Sequence, residues 1–426
     1  MEKTSNRSSS AIVIIGILFF VFGFVTWLNG TLIPFLKLAC ELHTDLQAFL
    51  VTFAFYIAYF FLAIPSAMIL RKTGYKNGMA LGLFVMALGS LLFVPAASSR
   101  SFPLFLLGLF VQGTGLSLLQ TASNPYISIL GPLESAAKRM SIMGICNKVA
   151  GVLSPLIVGA IVLKNAAPLE HQINSTTDPA LKEALLSALA GRVITPYLVM
   201  AAILVVLSLM IKFSSLPEIK TEEQVLPDDE ALPAKEKERT SIFQFPHLLL
   251  GVLCIFLYVG VEVLAGDGIG TFGKSMGISL DRTKYFTTFT LAAMLVGYII
   301  GIISIPRYIS QQFALKACAI LGLVFSACIF ATTGYTAITF IALLGLSNSL
   351  MWPAIWPLAL DGLGKYTKIG SALLVMGIAG GALLPLLYGG LKDNLHLYNN
   401  LAYCLCILPC YAYILYYAIS GHKAGK

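Results

Sequence analysis

Twelve long apolar blocks fill this chain, and the second six echo the first six. A helix needs about 20 apolar residues to cross a bilayer. Spans are read near 11–36, 46–70, 78–97, 102–130, 140–163, 193–213, 246–273, 284–304, 312–332, 335–361, 368–390 and 395–419. The echo is clearest in Ser141, Gly151, Leu153, Pro155, Leu156 and Gly159. The same residue types recur at the same spacing as Ser371, Gly381, Leu383, Pro385, Leu386 and Gly389. A weaker echo pairs Pro125, Ile127 and Leu130 with Pro353, Ile355 and Leu358. Only helices and closed barrels satisfy their own backbone in lipid, and these blocks are too long and too evenly apolar for barrel strands. The expected fold is an all-α membrane protein, with twelve transmembrane helices in two pseudo-symmetric six-helix bundles.

The interruptions divide the chain. Residues 1–213 form the first bundle, 214–245 a cytoplasmic linker and 246–426 the second bundle. The linker carries Pro217, Pro227 and Pro233 among many Asp, Glu and Lys, a composition that stays solvated. A second polar insertion, roughly 164–192, joins spans five and six outside, with a short surface helix expected over Leu181–Ala190. The first block is too long for the apolar region of a signal peptide and lacks a small-residue cleavage pattern.

Charged residues are only 11% of the chain, against about a quarter in a soluble domain. The net charge of +8 does not point to nucleic acid, because of where it sits. With the amino terminus inside, the inner loops and tails hold most of the 28 lysines and arginines. That is the positive-inside bias. It places both termini in the cytoplasm of a protein of the inner (plasma) membrane. The eight cysteines form no CxxC pair and read as small buried hydrophobes.

One motif is misleading. Gly268–Ser275 satisfies both GxxxxGK[ST] and GxGxxG. Both patterns need a preceding strand and a phosphate facing the following helix, whereas here an apolar helix precedes. The glycines read better as a place where span seven unwinds or packs closely. HExxH, GxSxG and any zinc-like Cys/His cluster are absent, so neither an enzyme nor a resident cofactor is expected.

Polar residues inside spans are costly and point to function. Span one has Asn29 beside Gly30 and before Pro34. Span four has Gln120, Thr121, Ser123 and Asn124 before Pro125. Asn147 and Lys148 interrupt span five, and Glu262 and Asp267 interrupt span seven. In span ten, Ser347, Asn348 and Ser349 precede Trp352, Pro353 and Trp356. Most lie on spans one, four, seven and ten, the spacing expected if each three-helix repeat gives one helix to a central cavity. Amides that donate and accept, beside aromatic faces, suit a neutral polyol such as a sugar. Each residue has a plainer reading. Asn147 and Asn348 could only bridge helices. Trp352 and Trp356 could anchor at the headgroups. Lys148 could snorkel. Glu262 is too deep to be a surface charge, and a Lys148–Glu262 ion pair would lower the cost of burying both.

Three segments carry a family resemblance over essentially the whole chain: Phe53-Ala-Phe-Tyr-Ile-Ala-Tyr-Phe60, Gln120-Thr-Ala-Ser-Asn-Pro-Tyr126 with Leu130-Gly-Pro132, and Phe256-Leu-Tyr-Val-Gly-Val-Glu-Val263. They resemble the sugar permeases of the major facilitator superfamily that include L-fucose/proton and glucose–galactose symporters. The resemblance implies two six-helix bundles, a central sugar site and symport driven by an ion gradient. Asn147 falls where fucose-type permeases have a substrate-contacting asparagine. Those permeases carry an aspartate where this chain has Gly30 and a glutamate where it has Gln120. These departures point away from fucose and remove the usual proton carrier. The Gln120 form looks most like the N-acetylglucosamine permeases.

The expectation is thus a monomeric sugar:cation symporter working by alternating access. Asn29, Gln120, Asn124, Asn147, Asn348 and Trp352 are expected to contact sugar. Glu262, with Asp267 and Lys148, is expected to couple transport to co-transported H⁺ or Na⁺. The alternatives are efflux of an amphipathic drug by antiport and a transport-inactive nutrient sensor.

Overall fold

A computed structural model of the chain describes residues 2–129, 136–214, 216, 241–305 and 307–425. Among them the regular structure is entirely helical. Eleven runs are long and apolar enough to cross a membrane. One of them, Asp45–Ser98, has 54 residues. At 1.5 Å per residue it would reach about 80 Å, far beyond the roughly 30 Å hydrocarbon core. It is broken at Gly74, whose φ of 78° and ψ of 170° are not helical. A side chain would strain that backbone, so glycine sits at the corner. The run is therefore spans two and three, and the total is twelve.

In order, span one is Ile12–Ala39, spans two and three are the halves of Asp45–Ser98, span four is Phe102–Asn124 and span five is Arg139–Val162. Span six is Ile194–Phe213. Spans seven to twelve are Pro246–Asp267, Phe286–Ser304, Gln311–Ala331, Gly334–Leu360, Ile369–Asp393 and Asn399–Ile419. The insertion before span six holds two helices, Ala166–Ser175 and Pro179–Gly191, where the sequence suggested one. Asp178 caps the second by accepting the Ala180 amide, with Pro179 at its first position. Most of the expected linker at 214–245, and Leu130-Gly-Pro132, lie outside the described residues.

Backbone contacts between spans repeat across the halves. A Cβ on Gly113 of span four would stand 2.1 Å from the Phe55 carbonyl oxygen of span two. A Cβ on Gly345 of span ten would stand 2.0 Å from the Thr290 carbonyl oxygen of span eight. Gly23 meets the Asn147 carbonyl the same way between spans one and five, and Gly380 meets the Phe256 carbonyl between spans eleven and seven. Without a hydrophobic drive between helices in lipid, such close approach supplies the packing.

Three spans are interrupted midway, one at Leu28, ten between Asn348 and Met351 and eleven between Gly377 and Gly380, and span seven breaks at its end, at Gly268. The sequence Gly268–Ser275 lies where span seven ends and the short helix Ile269–Ser275 continues it, with helix and not strand before it. At the end of the bundle away from the termini, the halves are tied by charge. Asp45 at the head of span two pairs with Lys37 and, across the halves, with Lys392. The Leu46 amide donates to Asp393 at 2.6 Å. Lys274 pairs with Glu170, and Asp281 accepts the amides of Ala166 and Ala167 at 3.2 Å.

Candidate functional site: a chamber between the halves

The two halves enclose a chamber of about 120 Å³. One water needs roughly 10–15 Å³ of such space, so several fit. Its wall takes Trp27 from span one, Tyr56 and Tyr59 from span two, and Gln120 and Asn124 from span four. Span five gives Asn147 and Lys148. The second half adds Tyr258 and Glu262 from span seven, Tyr298 from span eight, Trp352 from span ten and Ile378 from span eleven.

Trp27 organises one side. Its edge lies on Gly266, where a Cβ would come within 2.5 Å of Cζ3, so span seven approaches the indole directly. Its Nε1 donates to Asn147 Oδ1 at 3.4 Å, and Asn147 Nδ2 donates to the Phe19 carbonyl at 3.4 Å. Both bonds are longer than the usual 2.7–3.2 Å, so a better partner can displace them. Lys148 Nζ stands 4.3 Å from the centre of a Trp27 ring and 2.8 Å from Glu262 Oε1. The second contact is an ion pair across the two halves, with both side chains nearly buried, at 7% and 10% exposure. Pairing makes two charges tolerable at this depth. Opposite, Gln120 Nε2 donates to the Tyr59 hydroxyl at 3.1 Å. Trp352 stacks toward Trp356, with centroids 5.1 Å apart, and toward Tyr258 at 6.4 Å.

Six of the nine residues singled out from sequence line the chamber: Gln120, Asn124, Asn147, Lys148, Glu262 and Trp352. The structure does not bring Asn29, Asn348 and Asp267 to its wall. Asn348 is fully buried and accepts a hydrogen bond from the Tyr411 hydroxyl at 2.8 Å, so it ties span ten to span twelve. Asn29 is buried at the break in span one, and its Nδ2 has no partner among the described residues. Asp267 is fully buried one turn beyond Glu262, on another side of the helix. Trp27 and Tyr298 escaped the sequence reading, because an aromatic in an apolar span costs nothing and raises no flag. Tyr56, Tyr59 and Tyr258 sit inside the segments that carried the family resemblance.

A twelve-helix bundle whose two halves enclose a chamber lined by amides and aromatic rings and bridged by the Lys148–Glu262 ion pair is the build of a membrane carrier. The chain belongs to the Major Facilitator Superfamily, whose family model matches residues 15–385. It is 36% identical to the glucose/galactose transporter of Brucella abortus, over 99% of this chain and 97% of that protein. It is 27% identical to the L-fucose-proton symporter of Escherichia coli, over 92% of this chain and 90% of that one. A crystal structure of the E. coli fucose:proton symporter superposes with a TM-score of 0.73 at 26% identity, covering 96% of this chain and 97% of the other.

Proposed function

We propose that the protein is a cation-coupled symporter that brings a neutral sugar into the cell by alternating access. The observation that carries this is the Lys148–Glu262 pair spanning the halves inside a chamber walled by amides and aromatic rings. Gln120, Asn124 and Asn147 supply donors and acceptors to hydroxyls, while Trp352 and Trp27 cover the C–H face of the ring. A sugar that takes the long Asn147 bonds and approaches Lys148 competes with Glu262 for its partner. Sugar occupancy and charge state are thereby linked. The similarity to the Brucella transporter puts glucose and galactose first. N-acetylglucosamine is the second candidate, supported by the Gln120 pattern. Glu262, Asp267 and Lys148 form the coupling machinery. One positive charge moving with the solute gains about 2.3 kcal/mol per 100 mV, roughly 40-fold accumulation. The working unit is taken as a monomer in the inner (plasma) membrane, with both termini in the cytoplasm.

The test is uptake by the purified full-length chain in proteoliposomes. Labelled glucose, galactose, N-acetylglucosamine and fucose are offered with a Na⁺ gradient and then a pH gradient. One sugar should accumulate, and Glu262→Gln should abolish its accumulation. Transport of none of them, with efflux of an amphipathic cation instead, would refute the sugar reading. Full accumulation by Glu262→Gln would refute the coupling assignment.

A further inference from the structure

We infer that Asp267 is the proton-carrying group of this protein, closed off behind the chamber wall in the present arrangement. The inference rests on the symport reading above and names both the coupling ion and its seat.

Asp267 is 0% exposed, and the one donor near its carboxylate is the Gly30 backbone amide of span one; no side chain among the described residues bonds to it. It faces the backbone of Gly30 on span one. A Cβ at Gly30 would stand 3.2 Å from Asp267 Oδ1 and 2.5 Å from Thr287 Oγ1, so the close approach of span one to Asp267 leaves no room for a side chain at position 30. The ionisable groups that face Asp267 are Glu262 on its own span, Lys148 on span five and Tyr56 on span two. Lys148 is already held by Glu262 at 2.8 Å. Glu262 is therefore compensated, and Asp267 is not. A buried carboxylate without a cation of its own needs a neutralising partner.

A bound Na⁺ fits poorly. Unwound carbonyls and half-helix ends usually coordinate that ion. Here three neighbouring carbonyls already accept a hydrogen bond, which leaves each a single lone pair for an ion: Gly266 accepts from Thr287 Oγ1 at 2.8 Å, Ala265 from Thr290 Oγ1 at 3.0 Å and Leu264 from the Gly268 amide at 3.1 Å. The proton is the remaining neutraliser. The step is a simple one. The carboxylate takes one proton from water when the pocket opens on one side, becomes a neutral acid, and returns that proton to water on the other side. Trp27 is the shutter: its edge lies on Gly266, next to Asp267, while its Nε1 holds Asn147 on the sugar side.

The test uses the full chain in proteoliposomes with a pH indicator trapped inside, together with infrared spectra of the resting protein. The wild type should move protons with the sugar, without need of Na⁺. At one proton per sugar, a gradient of one pH unit should give about tenfold accumulation. Asp267→Asn should bring that ratio to about one, make sugar exchange indifferent to pH and remove a protonated-carboxyl band that Glu262→Gln retains. Sugar accumulation that needs Na⁺, proton inflow by Asp267→Asn, or a band unchanged in that variant would overturn the assignment. So would failure of Asp267→Asn to fold, because a neutral amide of the same shape replaces a neutral acid. If the wild type moves no sugar at all, the transport reading has failed. If it moves sugar and any of those four results appears, only the role of Asp267 has failed.

Discussion

Lys148 and Glu262 gain little by sitting inside a bilayer protein, and each alone would be a liability. Removing one partner of a buried pair typically costs about 3–5 kcal/mol, because the other charge is left uncompensated. Both line the chamber and keep 7% and 10% exposure, so the lower part of that range applies. Glu262→Gln and Lys148→Gln are each expected to lower the thermal unfolding temperature in detergent. The double variant should recover most of the loss. Additive losses in the double variant would mean that the two charges do not depend on each other. Asp267→Asn, by contrast, should leave the unfolding temperature close to that of the wild type. The residues that built this site were legible where they broke a rule. An amide or charge in an apolar run is conspicuous, and Gln120, Asn124, Asn147, Lys148 and Glu262 all reach the chamber. The same signal misplaced Asn348, since an amide bound to Tyr411 looks identical in sequence to one that faces a cavity. Trp27 went unread for the opposite reason, as its position among apolar residues breaks no rule.

Close backbone contact at a few glycines sets how several spans of this fold pack. Gly113 and Gly345 occupy matching places in spans four and ten, each against a carbonyl of its partner span. Span four carries Gln120 and Asn124 further along, and span ten carries Trp352, so each contact sets the position of chamber residues. Gly345→Ala would place a methyl 2.0 Å from the Thr290 oxygen, and the two backbones would have to separate. Overpacking of this kind costs about 1–3 kcal/mol. The expected result is a lower unfolding temperature and a weaker apparent affinity for sugar, read from thermal scans and from initial rates of uptake. Wild-type values for both would show that the spans have slack at this point. The number and order of the spans were plain in the sequence because length and apolarity alone specify them. So was the break between spans two and three, where the polar run from Arg71 to Asn77 separates the two apolar blocks and the backbone turns at Gly74.

At the scale of the molecule, the two halves need a reason to be closed at one end and a means of reopening. The charged belt away from the termini supplies the first. Its members were invisible as a belt, since a charge at a span end reads as a solvated one until the fold sets its partner opposite. Asp45 is the centre of it: its side chain is 7% exposed, and it holds Lys37 from its own half and Lys392 from the other. The Lys392 contact crosses the halves and is lost when this end opens, so it biases one state against the other in the way that alternating access requires. Asp45→Asn removes the attraction and leaves two lysine ammonium groups facing each other. A bias of about 1–2 kcal/mol would be lost, a factor of roughly 5–30 in population. Spin labels at His43 and His396, both exposed at this end of the bundle, report the opening. In a background with the eight native cysteines replaced, the distance distribution between cysteines introduced at those two positions should move toward longer separations in Asp45→Asn. Lys392→Gln, which cuts the same link from the opposite half, should shift it the same way. An unchanged distribution in both variants would mean that the belt follows closure and does not hold it. The bias would then have to lie deeper, in the packing of span eleven against span two.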